Sequence, residues 1–140
     1  MYETDETIEL PEDDYDANKI PSANTTVTSV VIPHGVEDIQ KFAFFNCSGL
    51  RSVTLPDTVK WIRECAFYND VKLESINLEK TETIGREAFY NCENLEEIDL
   101  SKVLTIGVRA FENCTKLKEV DLTALRNPLQ ADIVAIISDS

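Results

Sequence analysis

The chain has 140 residues, the length of one domain, and 43% of them are hydrophobic, enough for one continuous core. Its 26 acidic residues against 13 basic ones give a formal charge of −13, which argues against unaided binding to nucleic acid or to an anionic membrane surface and leaves cationic partners open. No apolar run is long enough to cross a bilayer, so no membrane insertion is expected.

The first segment, residues 1–26, holds eight acids and one lysine, so it carries much of the excess charge. It lacks the positive charge and apolar stretch of a secretory signal. A cytoplasmic location is expected if Met1 is the native start, and a surface or secreted one if a signal was removed. Ile8/Leu10-Pro11 lies 22 residues before Val30/Ile32-Pro33, which lies 23 before Val53/Leu55-Pro56. Residues 1–26 are therefore either a degenerate N-terminal cap or a disordered acidic tail.

From Val27 onward a repeat dominates. Ala-Phe recurs at Ala43-Phe44, Ala66-Phe67, Ala88-Phe89 and Ala110-Phe111, at spacings of 23, 22 and 22 residues. Each alanine is preceded four positions earlier by Ile39, Ile62, Ile84 or Ile106, and each phenylalanine is followed two later by Asn46, Asn69, Asn91 or Asn113. Next come Cys47, Asp70, Cys92 or Cys114, then Leu50, Leu73, Leu95 or Leu117, and the units close on Val53/Leu55, Ile76/Leu78, Ile98/Leu100 and Val120/Leu122. The closing segment alternates with period two and predicts a short strand with one buried face. IxxxAF has helix-like spacing and predicts a turn of helix on the opposite side. One unit cannot bury both faces alone, so units stack as rungs and their strands align in a parallel sheet. About five rungs are expected over residues 27–122, with a possible sixth in the tail. The four phenylalanines should form an internal stack, and residues 123–140 a C-terminal cap.

The pattern IxxxAFxNCxxLxxVxLP resembles the BspA-type leucine-rich repeat of bacterial and protist surface proteins. The resemblance covers roughly residues 27–122; Asp70 replaces a cysteine, and the proline is lost after Leu78 and Leu100. It implies an α/β solenoid of right hand, with a curved parallel sheet backed by short helical turns, and adhesion-type binding of host or matrix proteins.

Catalytic chemistry finds little support. His34 is the single histidine and lies in a Pro-His-Gly turn, and the glycines at 35, 49, 85 and 107 match no phosphate loop. No enzyme activity and no cofactor are expected. Cys47, Cys92 and Cys114 share one repeat position, so they string along the axis instead of converging on a metal, and a structural role is expected. Cys65 falls outside the pattern and is the better candidate for a reactive thiol. The asparagines are expected to satisfy backbone groups at the turn. Asn46-Cys47-Ser48 and Asn113-Cys114-Thr115 match the glycosylation sequon by accident of the repeat.

Two surfaces are candidates for a protein partner. Strand alternation turns one column outward as Ser29, Ser52, Ser75, Glu97, Glu119 and the next as Val31, Thr54, Asn77, Asp99, Asp121. The sheet face thus passes from hydroxylated to acidic, and Glu97, Asp99, Glu119, Asp121, Asn77 and Glu79 form a patch for a basic partner segment. The alternatives are a solvated face, an acidic inhibitor that mimics nucleic acid in a basic cleft, and a calcium-dependent adhesion fragment. The second surface is the aromatic strip of Phe45, Tyr68 and Tyr90, with Trp61 where other repeats have Asp38, Thr83 and Thr105; packing between turns is its alternative.

Overall fold

The structure, a computed structural model, describes the backbone of Thr7–Glu9 and residues 23–117 and 120–126. Eight short strands occur among the described residues: β1 (Thr7–Glu9), β2 (Ser29–Val31), β3 (Asp38–Ile39), β4 (Ser52–Thr54), β5 (Trp61–Ile62), β6 (Ser75–Ile76), β7 (Thr83–Ile84) and β8 (Thr105–Ile106). They form two wholly parallel sheets, ordered β1-β2-β4-β6 and β3-β5-β7-β8. A bridge from Ser75 to Glu97 carries the first ladder into the next coil. The pairing Ile8↔Val30 lies in the register that the 22-residue spacing implies. At the far end Val120 and Leu122 pack, partly buried, against the core, with no ladder pairing among the described residues.

The side opposite the first sheet departs from expectation: no helix occurs among the described residues. Each IxxxAF segment instead opens on the second parallel ladder and then turns. The turn contains two left-handed residues four apart, Phe42/Asn46, Cys65/Asn69, Glu87/Asn91 and Arg109/Asn113, with φ between 55° and 65°. A left-handed residue breaks a right-handed helix and costs about 1–2 kcal/mol outside glycine. The return comes from bonds between coils: the amides of Phe42, Phe44 and Asn46 donate to the carbonyls of Glu64, Ala66 and Tyr68 at 3.1, 2.7 and 2.8 Å. A helix would send these donors four residues back along its own chain; here they hold neighbouring coils together.

The core follows the repeat columns. Phe44, Phe67, Phe89 and Phe111 stack along the axis, centroids 5.3, 5.2 and 5.3 Å apart and planes within 9°. All four are at most 1% exposed, and burying each ring contributes roughly 1.5–3 kcal/mol. The isoleucine and leucine columns bury alongside them. The repeat pattern is also kept ahead of the first Ala-Phe unit. Ala23 donates to Phe45 as Asn46 does to Tyr68, and Val27 is buried in the leucine column, so Ala23–Val27 is the remnant of an earlier unit. The coils approach so closely that a Cβ on Gly107 would overlap the Arg86 backbone nitrogen.

Candidate interaction surface

The parallel register brings the outward residues of the first sheet into columns. Ser29 pairs with Ser52, Ser52 with Ser75, and Ser75 with Glu97. The Ser29 and Ser52 hydroxyls lie 3.0 Å apart, so the N-terminal end of the column is hydrogen-bonded to itself. Glu97, Asp99 and Asp121 are exposed on the C-terminal coils, while Glu119 lies outside the described residues. Asp99 and Asp121 share a local geometry. Each Oδ1 accepts the amide two residues on, from Ser101 and Thr123, both at 2.9 Å. The Ser101 hydroxyl and amide, with Lys102 nearby, hold the Asp99 carboxyl below its ordinary value.

One member of the expected patch is engaged elsewhere. Asn77 clasps the Leu55 backbone one coil away, its Oδ1 accepting the amide at 2.7 Å and its Nδ2 donating to the carbonyl at 2.8 Å. Glu79 lies on the turn leaving the first sheet. There it lines a groove of about 310 Å³ with Lys60, Lys80, Glu82, Lys102 and Leu104, in which opposite charges offset one another. The described ion pairs gather on Asp38, Glu64, Glu87 and Glu96, and none of them involves Glu97, Asp99 or Asp121.

The aromatic strip is a second stack parallel to the buried one. Phe45 to Tyr68 is 5.1 Å and Tyr68 to Tyr90 is 4.7 Å, with near-parallel planes. Phe42, 47% exposed, caps it edge-on at 5.4 Å, an addition that its repeat position does not signal because Cys65, Glu87 and Arg109 are its equivalents. Stacking occupies the ring faces, so mainly edges point outward. Trp61 is far from this strip in the repeat: it pairs with Asp38 and Thr83 on the second sheet, half-buried beneath the Arg63 guanidinium at 5.4 Å. Arg63 is itself held by a two-pronged contact to Asp38 at 2.8 Å.

Comparison with known proteins agrees with this architecture. The family model for the BspA type leucine-rich repeat region matches residues 22–133 in six copies. The chain belongs to the BspA-type leucine-rich-repeat family. Similar solved structures include the leucine-rich-repeat protein of T. pallidum, with a TM-score of 0.74 and 29% identity over 83% of this chain and 58% of that one. A leucine-rich-repeat protein from Bacteroides ovatus has a TM-score of 0.73 and 33% identity over 91% of this chain and 37% of that one. The pneumococcal vaccine antigen PcpA shares the fold alone, at 20% identity and a TM-score of 0.63 over 92% of this chain and 32% of that one. This chain thus spans less than two thirds of each. No curated protein matches the sequence significantly.

Within this BspA-type solenoid the cysteine position is a buried hydrogen-bonding site. The thiols of Cys92 and Cys114 donate to the carbonyls of Phe67 and Phe89, one coil back, both at 3.1 Å. Burial, with Asp70 nearby, pushes the Cys47 thiol up to about 12. Cys65 is also buried, and burial together with Glu87 and Glu64 raises it, so it lacks the activation that a reactive thiol needs. The asparagines occupy their positions for backbone reasons, since asparagine tolerates positive φ. Asn91 Nδ2 donates to Asn69 Oδ1 at 2.7 Å, amide to amide instead of to backbone. Among the described residues no group of histidine, cysteine and carboxylate side chains is placed to hold a metal, and no helix is long and apolar enough to cross a membrane.

Proposed function

We propose that this leucine-rich-repeat module is a non-enzymatic protein-binding element whose acidic sheet end receives a basic segment of its partner. The observation that carries the reading is the register continuing Ser29, Ser52 and Ser75 into Glu97. Exposed carboxylates at Glu97, Asp99 and Asp121 then lie on successive coils, outside the described ion pairs. Glu119 belongs to the same column by repeat position. Such a face steers a cationic segment and fixes its register. An extended basic peptide suits an open parallel sheet face better than a folded cleft-bearing enzyme does, so the nucleic-acid-mimic reading ranks below it. The surface setting implied by the family resemblance would make the contact adhesive. The aromatic strip ranks second because its ring faces are already stacked against one another.

The test is titration of the intact chain with a lysine- and arginine-rich peptide, against a variant carrying Glu97→Ser, Asp99→Asn, Glu119→Ser and Asp121→Asn. Asparagine keeps the oxygen that accepts the Ser101 and Thr123 amides, so the turns survive. Binding should be salt-dependent and lost in the variant. Equal affinity of the two proteins contradicts the reading. Calcium should leave the melting temperature unchanged; a rise abolished by the variant would support the metal-dependent alternative instead.

A further inference from the structure

The cysteine column contains one carboxyl, Asp70, with no exposed surface. Its Oδ1 accepts the Cys47 amide of the preceding coil at 2.8 Å, while its Oδ2 is buried with no hydrogen-bond partner among the described residues. Its titratable neighbours are the thiols of Cys47 on one side and Cys92 on the other. Neither supplies positive charge. A buried carboxylate with one amide and no cation is a costly arrangement, because its second oxygen loses water and gains nothing. At the equivalent positions Cys92 and Cys114 each bring a proton, which they donate to the core phenylalanine carbonyl one coil back.

We propose that Asp70 keeps its proton in the folded solenoid, donating from Oδ2 to the Phe44 carbonyl as the thiols do elsewhere, and so makes the seam between its coil and the preceding one a pH-sensitive joint. Burial, acting against the single amide contact, raises the carboxyl well above its ordinary value. The sign follows. The folded chain holds a proton that the unfolded chain releases above about pH 4, so the contribution of Asp70 to stability is greatest in acid and falls as pH rises from there towards the folded-state value. In acidic surroundings the coils are locked; as Asp70 ionises the joint opens.

Urea unfolding of the intact chain, compared with Asp70→Asn and Asp70→Cys from pH 4 to pH 8, reads this directly. The unfolding constant of the native chain relative to either variant should grow by up to about tenfold per pH unit above pH 4, then level off. A ratio independent of pH overturns the proposal. Should a variant fail to fold, carboxyl carbon NMR of the native chain decides alone: the Asp70 resonance should stay in its protonated position well above the pH at which an ordinary aspartate titrates. Titration near pH 4 would overturn it.

Discussion

Phe67 and Phe89 lie ring over ring in adjacent coils, centroids 5.2 Å apart and planes 8° from parallel, and water reaches neither. Each ring is the floor of the next, so truncating one leaves a cavity that the coil spacing cannot close. Phe89→Ala should therefore destabilise the chain by roughly 3–5 kcal/mol in urea melts. A loss under about 1 kcal/mol, below the usual range for such truncations, would mean that the stack is not the core.

Asn91 combines a left-handed backbone, φ 65°, with the amide contact to Asn69. Asn91→Ala should cost about 1–2 kcal/mol from backbone strain, whereas Asn91→Gly should lose chiefly the side-chain contact. Equal losses for alanine and glycine would show that φ is not what selects the residue.

All four cysteines are buried, and burial raises at least Cys47, Cys65 and Cys92. Thiol labelling of the native chain at neutral pH should be slow at every site and become fast only on unfolding. Rapid modification of Cys65 before unfolding would restore it as a reactive thiol.

Asp99 behaves oppositely to Asp70. Its carboxylate is favoured in the folded turn by Ser101, so its contribution is present above about pH 4 and is lost as pH falls through the folded-state value. Asp99→Asn should remove that acid-side loss; a variant that follows the native pH profile below pH 4 would show that the Ser101 contacts carry no stability.

The repeat period made the register legible: residues equivalent by count, such as Asp38, Trp61, Thr83 and Thr105, are paired strand neighbours. The helical turns expected of IxxxAF are absent among the described residues: a spacing of four between isoleucine and alanine fits a helix and a tight double turn equally. The residues that decide between them, Phe42, Cys65, Glu87 and Arg109, carry no glycine-like signature of positive φ. The burial of Asp70 follows from its place in the cysteine column. Of the acidic patch, the column positions could be counted out from the repeat, but the clasp of Asn77 on the Leu55 backbone could not. It depends on side-chain direction at the end of a strand.

The binding surface is tested most directly by amide NMR shift mapping of the intact chain during titration with the basic peptide. The expected result is a contiguous set of shifts on Glu97, Asp99, Ser101 and Asp121 that disappears at high salt. Shifts confined to Phe45, Tyr68 and Tyr90, or to Trp61, with the acidic coils silent, would contradict it.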